Sequence, residues 1–190
     1  MHNLIIAGVG GQGINALAKI IAVLCQKSGY ACQYSVHKGG AQSLGSVYAE
    51  MRIATDTIPA LGSTIPVGQL DTLIAMDPWE GLRHVSLAHD NTLLWVEKQV
   101  LPLFVERQHK QAAKLAASNP IDQLAALPLS IQLREYRNEA MQAYGTPMMA
   151  NYLAGLDCLS ALHFSNTEQF ENTFFQFIPA ARSHQRSLAI

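Results

Sequence analysis

Asn3-Leu4-Ile5-Ile6-Ala7-Gly8-Val9-Gly10-Gly11-Gln12-Gly13-Ile14 is the stretch on which the reading of this chain turns. A short apolar run leads into Gly-x-Gly-x-x-Gly, with Gly8, Gly10 and Gly13 at the glycine positions. From Ile14 the residues Leu17, Ile20, Ile21 and Leu24 recur at three- and four-residue steps and stop at Gly29, the period of an amphipathic helix. Strand, glycine turn and helix in that order have a physical logic. The first glycine permits a tight turn, the second lets backbone approach a phosphate, and the third lets helix and strand pack closely. Unpaired amides at the helix start, reinforced by the helix dipole, then favour an anion. The same pattern also serves as a tight βα turn that holds nothing, and both readings stay open at this point.

Outward from that unit, Ala31 to Val36 is expected as a second strand. Ser46 to Ile53 alternates apolar and polar residues, the pattern of a half-exposed strand. Between them His37 to Gly45 forms a second loop carrying Gly39, Gly40 and Gly45. Further strands are expected at Asp71–Met76, Asn91–Val96 and Leu129–Leu133. Asp77-Pro78 punctuates the start of a helix through Arg83. Other helices are expected at Pro120–Leu127, Arg137–Gly145, Met148–Leu162 and Glu168–Phe177, with Leu101–Ser118 a partly helical excursion. Strands alternating with helices predict an α/β fold, a Rossmann-like three-layer α/β/α arrangement with a mostly parallel sheet covered on both faces. Without a repeat or linker, residues 1–181 are expected to form one domain. Residues 182–190 are expected as a tail, disordered or partner-docking.

The 190 residues are 49% hydrophobic and only 14% charged. Apolar parallel strands produce such a composition, as does a surface partly covered by a partner. A net charge of −1 gives no electrostatic footprint for nucleic acid or an anionic membrane. No apolar run approaches the roughly 18 residues of a membrane span. Met1-His2-Asn3 enters the first apolar run without a basic region or cleavage site, unlike a signal peptide. Cys25, Cys32 and Cys158 are odd in number and widely spaced, forming neither a disulfide framework nor a Cys-x-x-Cys pattern. A cytoplasmic location is therefore expected.

A dinucleotide enzyme would place an acidic residue at the end of the second strand to hold ribose hydroxyls. Here that strand ends in Tyr34-Ser35-Val36, no acidic residue precedes Glu50, and Lys38 stands alone as a cation. Metal-binding His-x-x-x-His, a Gly-x-Ser-x-Gly elbow and a four-cysteine cluster set are all missing. So is the Gly-Asp-Gly…Asn-Asn pattern of a thiamine diphosphate site. His37 adjoins a glycine-rich loop at a strand's C-terminal end, where open α/β sheets bind ligands, and reads as a hydrogen-bonding residue rather than a base. No catalytic residue and no metal ligand is assigned.

Gly8 to Gly13 is similar to the opening of the gamma subunit or domain of 2-oxoacid:ferredoxin oxidoreductases. The second loop, His37-Lys38-Gly39-Gly40-Ala41-Gln42-Ser43-Leu44-Gly45-Ser46-Val47, resembles the His-Gly-Met-Ala-Gln-Arg-Gly-Gly-Ser-Val of the indolepyruvate oxidoreductase beta subunit. Leu70 to Arg83 and Tyr144-Gly145-Thr146-Pro147 with Asn151 and Leu153-Ala154-Gly155 extend the likeness over most of the chain. The resemblance implies a subunit without activity of its own. It belongs to a complex that decarboxylates a 2-oxoacid such as pyruvate, 2-ketoisovalerate or indolepyruvate to an acyl-coenzyme A and passes electrons to ferredoxin. Thiamine diphosphate and [4Fe-4S] clusters then sit on partner subunits, while this domain shapes the active-site mouth and contacts coenzyme A. The implied cofactor contacts are Gly8, Gly10, Gly11, Gln12, Gly13, His37, Lys38, Gln42, Ser43, Gly45 and Ser46. Two departures stand out: Ser43-Leu44 replaces Arg-Gly, removing a guanidinium fork, and Lys38-Gly39 is an insertion. A ligand-sensing scaffold and an NAD(P)- or flavin-binding oxidoreductase remain as alternatives. A homodimer through apolar helices such as Met148–Leu162 is a further expected partnership, beside the reading of those helices as core.

Overall fold

The computed structural model describes residues 1–39, 45–57, 64–101 and 119–185. Strand β1 (His2–Val9) is buried from Asn3 to Gly8 and forms the middle of the sheet. Leu4 and Ile6 face one core, while Ile5 and Ala7 face another. A strand covered on both sides needs apolar residues at every position, which is why this stretch is a run rather than an alternation. The first core is closed by helices α1 (Ile14–Lys27), α5 (Ala150–Ala161) and α6 (Thr167–Phe177), through Leu17, Ile20, Leu24, Ala154, Phe170 and Phe174. On the other face lie α2 (Pro78–His84) and α3 (Pro120–Ala125). A Cβ added at Gly155 would meet the Phe170 ring, so this glycine lets α6 close onto α5.

Six strands pair in the order β2-β3-β1-β4-β5-β6. Strands β4 (Leu70–Ala75), β5 (Ala88–Glu97) and β6 (Ser130–Arg134) run parallel to β1, with Ile6 opposite Ile74 and Ile74 opposite Trp95. The expected mostly parallel α/β sheet is therefore present, with one reversal. Strand β3 (Ser46–Ala54) is antiparallel to β1 on one side and to β2 (Ala31–Lys38) on the other. This hairpin lies between β1 and the sheet edge, and its facing strand ends, Lys38 and Ser46, lie at the same end of the sheet as the glycine loop.

Position also changes how β3 is buried. Its alternation predicts a half-exposed strand, yet Ala49, Glu50, Met51, Arg52 and Ile53 are all buried. Glu50 and Arg52 lie on the α2 side of the sheet, and Ala49, Met51 and Ile53 in the first core. The helix expected from Met148 begins later. Pro147 opens a 3₁₀ turn (Pro147–Met149) with Thr146 Oγ1 accepting from Met148 N at 3.3 Å, and α5 follows. Helix α4 (Tyr136–Tyr144) ends at Gly145 in the left-handed region, φ 70°. Buried Ala150, Ala154, Cys158 and Leu159 make α5 a core helix. In the expected tail, Arg182–Gln185 form a short helix, α7, rather than an unstructured start. The excursion expected over Leu101–Ser118 lies, apart from Leu101, outside the described residues.

Candidate functional site: the joined glycine loops

The glycine loop takes its shape from two left-handed residues and one glutamine. Gly11 and Gly13 have φ of +93° and +74°, and Gly13 is the N-cap of α1. Gln12 Oε1 accepts from Val9 N at 2.6 Å, while its Nε2 donates to the carbonyl of Met76, beyond β4, at 2.8 Å. A Cβ at Gly8 would fall on Gln12 Oε1 and Ile14 Cδ1. A Cβ at Gly13 would meet the Asn151 amide, whose Nδ2 donates to Gln12 O at 2.8 Å. The third glycine thus makes room for α5, not for β1. Gln12, an expected cofactor contact, has its side-chain carbonyl and amide both engaged within the protein. No side chain caps α1 and no acidic residue sits in its first turn, so those amides keep their donor capacity for an anion.

The loop opens into a cleft of about 690 Å³ lined by Val9 to Gly13, Met76, Leu101, Arg137, Pro147, Met148, Ala150, Asn151 and Ile178. Arg137, from the first turn of α4, supplies the one charged side chain in this lining, beside the amides of Gln12 and Asn151 and several apolar side chains. Asn151 Oδ1 is buried without a hydrogen-bond partner among the described residues. Two buried carboxylates hold the cleft's outer segments. Asp77 caps α2 by accepting from Trp79 N at 2.9 Å, and its second oxygen accepts from Leu101 N at 3.4 Å. Glu97, 1% exposed, accepts from Gln99 N at 2.8 Å and from Arg137 N at 3.2 Å. Loss of hydration pushes both carboxyls above the usual range, opposed by these amides and by the nearby Arg137 charge.

A backbone bond ties the second loop to the first, Gly10 N to Gly45 O at 2.8 Å. At its base Gly39 N donates to Ser46 O at 2.7 Å, and Ser46 Oγ donates to Glu80 Oε2 at 2.6 Å. Glu80 is 3% exposed and pairs with Arg83 at 3.1 Å. His37 lies on the α2 side of β2: its Nε2 is 3.0 Å from Ser35 Oγ and 3.5 Å from the Glu50 carboxylate. Its ring stacks on Tyr48 at 4.6 Å, and Tyr48 meets His84 of α2 at 4.6 Å. Lys38 is exposed. The expected site residues thus form two groups in contact through Gly10 and Gly45. Gly10, Gly11, Gln12 and Gly13 line the cleft, with Gly8 buried at its base. His37, Lys38, Gly45 and Ser46 stand beside it without lining it. Gln42 and Ser43 lie outside the described residues. Sequence reasoning missed Arg137, Glu97, Glu50 and Glu80. Asn151 appeared only through the family likeness, and Asp77 as helix punctuation and within that likeness.

Residues 3–174 match the family model described as pyruvate ferredoxin/flavodoxin oxidoreductase. The chain belongs to this family. Among individual relatives, "Indolepyruvate oxidoreductase subunit IorB" of Pyrococcus horikoshii is 31% identical over 101 residues, 53% of this chain and 48% of that protein. The corresponding protein of Archaeoglobus fulgidus is 34% identical over 101 residues. The match thus spans about half the length of these curated relatives. Among solved structures, the gamma subunit of a keto/oxoacid ferredoxin oxidoreductase from Geobacter sulfurreducens superposes with a TM-score of 0.65 at 16% identity, covering 97% of this chain and 94% of that one. A 2-oxoglutarate:ferredoxin oxidoreductase from Magnetococcus marinus, with 2-oxoglutarate, coenzyme A and succinyl-CoA bound, gives 0.58 at 12% identity over 99% of this chain and 31% of that one. At such identities the superpositions establish the shared α/β fold of the family. Among the described residues no group of three or more His, Cys, Asp or Glu could hold a metal ion, and no helix is long and apolar enough to cross a membrane.

Proposed function

We propose that the chain, with residues 1–181 as one domain, is the gamma-type member of a 2-oxoacid:ferredoxin oxidoreductase complex. Its part is to shape the mouth of an active site and to hold a phosphate of coenzyme A there. The observation that carries this reading is the cleft, lined both by the glycine loop that leads into the uncapped start of α1 and by Arg137. Coenzyme A fits the donor set: its phosphates are acceptors for the amides and the guanidinium, and the apolar wall at Pro147, Met148 and Ile178 suits a less polar arm. When bound, coenzyme A supplies the thiol that takes up the acyl group. Arg137 and the loop amides orient and neutralise its phosphate. Decarboxylation and electron transfer belong, in this reading, to thiamine diphosphate and iron–sulfur clusters on partner subunits.

Co-expression with a thiamine- and cluster-binding oxidoreductase subunit from the same organism is the test. Expected is a stable complex with 2-oxoacid- and coenzyme A-dependent reduction of ferredoxin, while the chain alone gives none. A chain that forms no such complex, or whose addition leaves the partner's rate unchanged, would refute the reading. Calorimetry with coenzyme A, on the complex and on the chain alone, tests the phosphate site separately.

A further inference from the structure

Helix α4, which carries Arg137, is held from outside rather than by its own residues. Its N-cap, Glu135, makes no side-chain bond to the first turn, and the amide of Arg137 is taken instead by Glu97 of β5 at 3.2 Å. Of the nine residues of α4, the buried ones are Tyr136 and Ala140. So narrow an apolar stripe sets the angle of a helix about its axis poorly by burial alone. A directed bond does it better. The Tyr136 ring is fully buried in the first core, and its hydroxyl donates to Asp157 Oδ2 of α5 at 2.6 Å.

The same carboxylate oxygen pairs with Nε of Arg134, the last residue of β6, at 3.0 Å. The Arg134 guanidinium lies 5.3 Å from the centre of the Tyr136 ring and pairs in turn with Glu139 Oε2 of α4 at 3.2 Å. On the β5 side, Lys98 N donates to Arg134 O at 2.7 Å, and Lys98 Nζ lies 3.3 Å from Glu135 Oε1. The start of α4 is thereby clamped between β5 and α5. Arg137 follows Tyr136 by one position, about 100° further round the helix, so that Tyr136 enters the core while Arg137 lines the cleft. A rotation of about 10° moves a side-chain tip at the outer radius of a helix by roughly 1 Å. A guanidinium fork meets phosphate oxygens in a fixed geometry, and a shift of that size spoils it. Packing alone does not call for this polar pair, since apolar side chains of the same shape can replace a buried hydrogen-bonded pair at little cost. What the bond adds is direction.

We propose that Tyr136 and Asp157 are positioning residues of the cleft: their hydrogen bond sets the rotation of α4 and so aims Arg137 at the bound phosphate. The inference rests on the proposed function, because it takes Arg137 as the phosphate contact. Neither residue touches the ligand. Each acts through Arg137.

Calorimetry with coenzyme A, on the full chain and on its complex, tests this in wild type, Tyr136→Phe, Arg137→Ala and the double variant. Tyr136→Phe keeps the buried ring and leaves Asp157 its Arg134 partner, and should weaken binding on the order of tenfold. In the Arg137→Ala background the same change should have no further effect. A general loosening of the fold would instead weaken binding equally in both backgrounds. In the assembled complex Tyr136→Phe should raise KM for coenzyme A and leave kcat unchanged. Asp157→Asn, which keeps an acceptor for the phenol, should bind nearly as wild type, whereas Asp157→Leu should bind as weakly as Tyr136→Phe. Wild-type affinity in Tyr136→Phe, or equal losses with and without Arg137, would overturn the proposal while leaving the coenzyme A site standing. A wild-type protein that binds no coenzyme A, or Arg137→Ala binding as tightly as wild type, would strike the site itself and the inference with it. Should Asp157→Leu fail to fold, the Tyr136→Phe cycle still decides.

Discussion

Replacing Gly13 by alanine tests how the cleft is built. Two separable penalties are expected. Alanine in the left-handed region, where Gly13 sits at φ +74°, costs about 1–2 kcal/mol. The new Cβ also meets the Asn151 amide, which must swing away and give up its 2.8 Å bond to Gln12 O, a loss of about 1 kcal/mol. Gly13→Ala should therefore destabilise the chain by about 2–3 kcal/mol. Gly11 supplies the internal control. Its φ is +93°, yet nothing lies within 4 Å of an added Cβ, so Gly11→Ala should cost only the backbone part, about 1–2 kcal/mol. Asn151→Ala supplies the other control, since in that background Gly13→Ala should also fall to the backbone part. Urea unfolding of the four variants, followed by circular dichroism, closes a double-mutant cycle with an expected coupling of about 1 kcal/mol. Equal costs for Gly13→Ala with and without Asn151 would refute the claim that this glycine exists to admit α5.

Arg137→Ala should weaken coenzyme A binding roughly 10- to 100-fold, the range of one charged hydrogen bond. It leaves the backbone amide held by Glu97 in place, and an unchanged calorimetric Kd would remove Arg137 from the site. Glu97 has its folded carboxyl raised by burial. In the window between the unfolded carboxyl value and that raised value the native state holds the extra proton, so stability falls as pH rises through it. Glu97→Gln should flatten that fall, read from urea midpoints at successive pH values; an unaltered slope would contradict the assignment. Ser46→Ala leaves the buried Glu80 oxygen without its 2.6 Å donor and should cost about 1–3 kcal/mol. A midpoint unchanged from wild type would show that the hairpin base does not depend on this bond.

Much of the fold was legible because two periods change sharply at Gly8 to Ile14. A continuous apolar run there can only be a strand covered twice, and the step to Leu17, Ile20 and Ile21 can only be a helix lying on it. The direction of β3 was not legible from its own residues, since an alternating strand reads the same either way. Its neighbours carried the signal: a parallel return needs a crossover of a dozen or more residues, and the chain between Lys38 and Ser46 is too short for one. Burial of Glu50 and Arg52 depends on what packs over β3, which no local pattern records. Arg137 was hidden for a similar reason. On its own helix it is an ordinary first-turn cation, and it becomes a cleft residue only because Glu97, forty positions earlier, holds its amide.

The same contrast explains how one motif can yield both a fold and a site. In Gly8–Gly13 the side chain of Gln12 acts inward, joining β1 to the end of β4, while its backbone carbonyl receives Asn151 of α5. Gly10 reaches sideways, to the second loop through Gly45. These bonds fix where α1 begins, and the start of α1 is where amides are left free to meet an anion. Asp77 and Glu97 act on the facing side, each accepting amides from a segment that lines the cleft. A buried carboxylate is costly unless hydrogen-bonded, so placing two of them behind the cleft makes the positions of Leu101 and Arg137 matter to the stability of the whole chain. Shape and donor set are therefore coupled: a substitution that relaxes Gln12 or Glu97 should loosen the fold and the anion site together, and Arg137→Ala, besides weakening the anion site, should raise the carboxyls of Asp77 and Glu97 further by removing the charge beside them.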